Sequence, residues 1–223
     1  MPVSRIQTFG EANAGLTRSR SSEPNAQDSV ASAPVLNARE ATPADYYQVN
    51  FIEVFEYVLA AYEHVLPTKL AQSLHNYLQA DDDAQRLFAR LLTRKGPVFL
   101  EQSLSYAEVG DTTKALENLA AYGLIRRNPA VPADRLLHAL KKSALLDYFV
   151  AAAGYPKNWA KERVSEHILA VHTDRRIRQI VSDHIVWFSL SSQSHWRLVQ
   201  LLYFGQSNKD WSAHIRRDLG HTR

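Results

Sequence analysis

The chain has no cysteine, so disulfides, cysteine-ligated zinc and thiol catalysis are excluded. No apolar run approaches the roughly 18 residues of a membrane-spanning helix. The first residues, MPVSRIQTFGEANAGL, lack the apolar stretch of a secretory signal. Together these absences predict a cytoplasmic protein, nucleoid-associated if bacterial, with no membrane partner. There is no phosphate-binding P-loop, no GxSxG elbow, no HExxH helix and no EF-hand loop. His167 and His172 are five apart, which is not a metal spacing on one helix, and the nine histidines form no other tight group. One more absence bears on nucleic-acid chemistry. Many metal-dependent nucleases place a carboxylate two residues before a lysine, the acid holding the metal and the lysine orienting water. The residues two before the eight lysines are Pro67, Thr93, Thr112, Ala139, Leu140, Tyr155, Trp159 and Ser207, and none is acidic.

What is present is enough for one large domain or two small ones: 223 residues, 45% of them hydrophobic. The net charge of +3 conceals an asymmetry. Residues 41–120 carry six Lys/Arg against eleven Asp/Glu, and residues 121–223 carry sixteen against eight. A basic C-terminal part points to an anionic partner, nucleic acid first, and is equally compatible with a solvated surface.

Residues 1–41 are rich in Ser, Ala, Asn, Gln and Pro, without apolar period, and are expected to be a disordered leader. Order is predicted from Thr42-Pro43-Ala44-Asp45, where Thr42 suits an N-cap and Pro43 the first helical position. Tyr47, Phe51, Val54, Phe55, Val58, Leu59 and Tyr62 follow at helical spacing, and a second helix covers Lys69 to Gln79. Asp81-Asp82-Asp83 resembles a metal site, but it precedes the next helix, where carboxylates cap amides, and capping is the expected role. Asp111 is expected to cap a helix ending at Gly123, with Leu124-Ile125-Arg126-Arg127 as a short strand. Helix, turn, helix, Gly-Leu-Ile strand is the pattern of a winged-helix module.

The helix between these, RLFARLLTRKG, places Arg86, Arg90 and Arg94 on one side and Leu87, Phe88, Leu91 and Leu92 on another, with Lys95 beside the last arginine. A basic stripe of this kind suits phosphate. The presumed recognition helix carries only Lys114 and Glu117 as charges, weak equipment for reading a major groove. Residues 131–171 are predicted to form a further helical unit, with Lys141, Lys142, Lys157, Lys161 and Arg163 around its helix starts and turns. There they suit phosphate contacts or simple solvation. Residues 172–223 read as a helical C-terminal segment with a second basic cluster, Arg175, Arg176 and Arg178. Trp159, Trp187, Trp196 and Trp211 are expected in the core or an interface, with a stacking role open. The fold class is therefore mainly α: a helical N-terminal layer, residues 42–130 including the winged-helix module, then the second helical unit.

Four segments in order, YYQVNFIEVFEYVL, RLFARLLTRKGPVF, SLSYAEVGDTTKALENLAAYGLI and LLYFGQSNKDWSAHIRRDLG, resemble the N-terminal region of the Fanconi-associated nuclease family, bacterial branch. The resemblance runs from about Tyr46 to Gly220. It implies that residues 131–171 are a SAP-like DNA-binding unit. It also implies a phosphodiesterase I type activity on branched DNA near 5′ flaps, serving interstrand-crosslink repair. The metal, Mg²⁺ or Mn²⁺, belongs to a C-terminal VRR-NUC domain. By position the family's DNA-contacting helix falls on Arg90, Arg94 and Lys95, and the SAP-like contacts fall on Lys157 and Lys161. The family continues into its nuclease domain, whereas this sequence stops at Arg223 and lacks the D/E-x-K element. The expectation is a chain, truncated relative to the family, that grips branched or flap DNA, with no cofactor or catalytic residue of its own. Cutting would then require a separate nuclease-domain polypeptide. A winged-helix transcription regulator and a helical protein-interaction scaffold are the other classes the residues allow.

Overall fold

The computed structural model describes residues 45–149, 158–205 and 211. The leader 1–41, the Thr42 cap, Lys157, and Ile215 and Leu219 of the expected last helix lie outside them. The described chain is mainly helical. Its first part comprises α1 (Tyr46–Tyr62), α2 (Thr68–Gln79), α3 (Asp82–Thr93), β1 (Phe99–Leu100), α4 (Thr112–Ala121) and β2 (Ile125–Arg127). There follow α5 (Ala133–Ala139), α6 (Lys142–Phe149), α7 (Lys161–Val171), α8 (Asp174–Ser182), β3 (Trp187–Leu190) and α9 (Gln193–Phe204).

The apolar period of α1 becomes a buried face of Phe51, Val54, Phe55, Val58 and Leu59, and α2 buries Leu70, Leu74 and Tyr77. The Tyr77 hydroxyl donates to the Gln85 carbonyl at 3.4 Å, and burial raises its pKa well above that of a free phenol. Gln48 and Gln85 join α1 to α3 inside this layer. Gln48 Nε2 donates to Gln85 Oε1 at 2.8 Å, and Gln85 Nε2 donates to the Tyr77 carbonyl at 3.0 Å. Buried amides satisfied in this way specify a register between helices that apolar contacts leave loose.

The aspartate triplet caps helices. Asp81 accepts the Ala84 N–H at 2.8 Å at the start of α3. Asp82 accepts from Gln48 at 3.1 Å, and Asp83 accepts the N–H groups of Gly110 and Asp111 at 3.2 and 3.4 Å. The Gly110 and Asp111 amides hold the Asp83 carboxyl below the ordinary carboxylate range, assisted by Arg86, while partial desolvation opposes them. Asp111 in turn caps α4 through the Lys114 N–H at 3.0 Å. Gly123 ends α4 at φ +69°, a conformation that glycine adopts without strain.

The three strands form one antiparallel sheet in the order β1-β3-β2. Phe99 pairs with Phe188, Leu100 with Trp187, and Ile125 with Leu190. Strand side chains alternate between faces. Phe99, Phe188 and Ile125 belong to a core shared with α1–α4 and α9. Leu100 and Trp187 belong to a second core, filled by α5–α8. The sheet is thus the partition between two cores. Trp187 is fixed on it, its indole N–H donating to the Pro129 carbonyl at 3.2 Å.

This arrangement corrects two expectations from the sequence. Residues 172–223 are not helical throughout, because β3 lies within them. Ile185-Val186-Trp187-Phe188 is a short β-branched and aromatic run, which suits a strand buried on both faces and shows no helical period. The helical unit also does not stop at 171. Ile177, Val181 and Ile185 complete its core. The chain leaves the sheet after β2, builds α5–α8, and returns to the same sheet as β3. Serial segment boundaries are therefore replaced by one unit nested inside another.

Candidate nucleic-acid interface

Arg86 and Arg90 share a side of α3, whereas Arg94 lies just past its end with extended backbone, so the expected stripe of three on one helix is shortened to two. Arg86 is ion-paired with Asp83 at 3.1 Å and with Asp82 at 3.8 Å. Arg90 is held more completely. Its guanidinium lies 3.8 Å over the Tyr47 ring and 5.7 Å from the Tyr106 ring, and pairs with Glu108, whose side chain is only 10% exposed. The Tyr47 ring and the Glu108 carboxylate therefore both engage that group. Arg94 differs. It caps the C-terminal end of α3, is exposed, and donates to the Tyr106 hydroxyl at 3.1 Å. Lys95 beside it is exposed, and the chain turns sharply at Gly96, φ +113°. The turn at Gly96 makes a corner in the chain directly after Arg94 and Lys95.

That corner is one wall of an open cleft of about 810 Å³. A second wall is the first turns of α5, with Asp134, Arg135 and His138. The third is one side of α9, where Gln193, Trp196, Arg197 and Gln200 follow the i, i+3, i+4, i+7 spacing of a single helical face. Arg94, Lys95, Arg135 and Arg197 are all exposed, and none is ion-paired among the described residues. Asp134 is the one carboxylate among the described lining residues. Trp187, Trp196 and Trp211 are buried in the cores, so none of these three offers a free ring face for stacking.

The basic residues of the helical unit distribute differently. Lys161 Nζ donates to the His138 carbonyl at 2.6 Å, which places it at the C-terminal end of α5, beside a cleft residue. Lys141 is exposed in the turn that follows. Lys142, at the start of α6, is half-buried and engaged within the protein. Arg163 lies 4.3 Å over the Trp159 ring. Arg178 pairs with Asp174 at 3.6 Å and donates to the Val131 carbonyl at 2.9 Å. Of the nine residues singled out from the sequence, the structure brings Arg94 and Lys95 to the cleft and Lys161 to its edge. Arg86 and Arg90 are paired away from it.

Sequence reasoning missed Arg135 and Arg197, and also the Tyr47, Tyr106 and Glu108 surroundings of Arg90. Neither new arginine belongs to a local pattern. They meet only because the chain returns from α8 through β3 into α9. Among the described residues no group of three or more His, Asp or Glu has metal-holding geometry, and the aspartate triplet faces amide donors. The metal that the family resemblance implies finds no fitting donor set among them. Among the described residues, no helix is long and apolar enough to cross a membrane.

Comparison with known proteins agrees with this architecture. Residues 45–126 match the family model described as FAN1, HTH domain. The chain is 29% identical over 177 residues to the Fanconi-associated nuclease 1 homolog of Pseudomonas aeruginosa, covering 78% of this chain and 32% of that protein. A Fanconi-associated nuclease 1 homolog of Oryza sativa subsp. japonica is 39% identical over 79 residues, which are 35% of this chain and 8% of that protein. The fold superimposes on the crystal structure of paFAN1 bound to gapped DNA with a two-nucleotide 5′ flap. There the TM-score is 0.74 and the identity 28%, covering 83% of this chain and 34% of that one. A second paFAN1 structure, bound to gapped DNA with a one-nucleotide 5′ flap, gives 0.67 at 26% identity, covering 80% and 33%. The chain spans about a third of the length of these bacterial relatives. Residues 45–126 thus resemble a FAN1 HTH domain, and the chain is similar in sequence and fold to a part of the bacterial Fanconi-associated nuclease 1 proteins.

Proposed function

We propose that this chain is a DNA-binding region that holds branched DNA of the 5′-flap type by its phosphate backbone. The observation that carries the reading is the convergence on one cleft of four exposed cations, Arg94, Lys95, Arg135 and Arg197, none ion-paired among the described residues. The paFAN1 structures, which hold 5′-flap DNA, support the same class of ligand. Lys141 and Lys161 extend the positive edge along the end of α5, with Lys142, Lys157 and Arg163 in support on the same SAP-like unit. Arg86 and Arg90 brace α3 rather than grip DNA.

In this reading β1, α4, β2 and β3 form a winged-helix module whose wing is replaced by the SAP-like helices α5–α8. The helix in the recognition position, α4, exposes Thr113, Lys114 and Glu117 beside Asp81, Asp82 and Asp111. A phosphate backbone is repelled there, so sequence reading through α4 is not part of the function. Phosphodiester cleavage is assigned to nuclease residues other than those described, and the Mg²⁺ or Mn²⁺ of the family belongs with them.

Gel shifts of flap, blunt duplex and single-stranded DNA at two salt concentrations test the proposal. Tightest binding to the flap, steeply weakened by salt, is the expected result. Preference for one duplex sequence would make the chain a transcription regulator instead. No binding to any DNA would make it a protein scaffold.

A further inference from the structure

We infer that the cleft between α3, α5 and α9 is a single-strand site: it takes a short unpaired stretch of DNA and not the duplex. This inference rests on the DNA-binding reading and specifies which part of a branched substrate the cleft holds.

Shape is the first argument. A duplex is a convex cylinder with its phosphates facing outward, and it lies best on a flat or broadly curved cationic surface. Here the cations project from three walls around a concavity of about 810 Å³. That volume falls in the range of roughly 300–1,000 Å³ that encloses small ligands. It is of a size to take a few nucleotides of one strand.

The lining is the second argument. A site for phosphate alone needs only charge, but this cleft alternates three chemistries. Four cations against Asp134 leave a net positive rim for phosphates. Leu92, Pro97 and Leu190 supply apolar surface for sugars and base faces. Gln193 and Gln200 flank Arg197 on α9 and present side-chain amides, each both donor and acceptor. Such amides can hydrogen-bond the Watson–Crick edges that unpairing frees, edges that the partner strand occupies in a duplex.

The test uses the full chain and fluorescence anisotropy with two probes, a labelled eight-nucleotide oligothymidine and a labelled blunt duplex of 20 base pairs. The double variant Arg135→Ala/Arg197→Ala removes two cleft cations. Arg175→Ala/Arg176→Ala removes two exposed cations from α8 as the matched control. The expected result is a loss of about tenfold or more in oligothymidine affinity for the cleft variant. Its single-strand salt slope should fall by about 1.4, at about 0.7 per lost contact. Duplex affinity should change less than about twofold, and the control should lose little on either probe. Lysines at 135 and 197 should restore most of the affinity, which separates charge from misfolding. Equal losses on both probes, or an unchanged oligothymidine affinity, would overturn the single-strand assignment and leave the DNA-binding reading standing. Failure of the unmodified chain to bind either probe at low salt would overturn both.

Discussion

At the scale of single residues, pairing state sorts the arginines better than position does. Arg86, Arg90 and Arg94 recur at four-residue spacing, yet Arg94 stands just past the end of α3 and, of the three, it alone has no carboxylate partner among the described residues. Replacing Arg90 by Ala strands the Glu108 carboxylate and removes the stack on Tyr47. The cost lies between the roughly 0–1 kcal/mol of an exposed pair and the roughly 3–5 kcal/mol of a broken buried one, so about 2 kcal/mol is expected. Urea unfolding measures it. Arg94→Ala should shift the midpoint little, because its only described partner is an exposed hydrogen bond to Tyr106. Asp83 gives a pH-dependent counterpart. Its carboxyl is held below its ordinary pKa in the folded chain, chiefly by the Gly110 amide. The stability it adds is present above the unfolded value near 4 and is lost as pH falls through the lower folded value. Asp83→Asn should therefore be less stable than the unmodified protein at neutral pH, and the difference should close below about pH 4. Thermal melts across pH 3 to 7 read this directly. Gly110→Ala should act in the same direction, since its Cβ would stand 3.0 Å from the Asp83 carboxylate oxygen.

At the scale of elements, β3 explains both what the sequence reveals and what it hides. The helices α1 to α4, the caps at Asp81 and Asp111, and the left-handed Gly123 are legible because their signals are local: apolar period, a carboxylate three residues before an amide, a glycine after the last turn. β1 and β3 are not. They are two and four residues long, and β3 finds its partners about 60 and 90 residues earlier in the chain. Nothing in a short window marks such pairing. The same distance hides Arg135 and Arg197, whose meeting depends on the return through β3. The stripe was visible and its pairing was not, because Tyr47 and Glu108 lie 43 and 18 residues from Arg90. The two faces of β3 also make separable predictions. Trp187→Ala and Phe188→Ala should each cost about 3–5 kcal/mol, as large aromatic truncations in cores do. Hydrogen exchange should distinguish them. Trp187→Ala should release amides of α5–α8, and Phe188→Ala those of α1–α4.

At the scale of the whole molecule, the charge asymmetry of the sequence becomes an orientation. Acidic residues surround the start of α3 and the start of α4, while Arg94, Lys95, Arg135 and Arg197 line the cleft where α3 ends. A polyanion is therefore repelled from the helix in the recognition position and attracted to the corner between the two cores. The nested topology serves this arrangement, because α5 and α9 reach the cleft from opposite ends of the inserted unit. The measurement that tests the central claim most directly is the salt dependence of flap-DNA binding. Arg94→Ala/Lys95→Ala should lower the log–log slope by about 1.4, at about 0.7 per lost single-strand phosphate contact, and Arg86→Ala should leave it unchanged. An unchanged slope for the Arg94/Lys95 variant, or an equal fall for Arg86→Ala, would contradict the account.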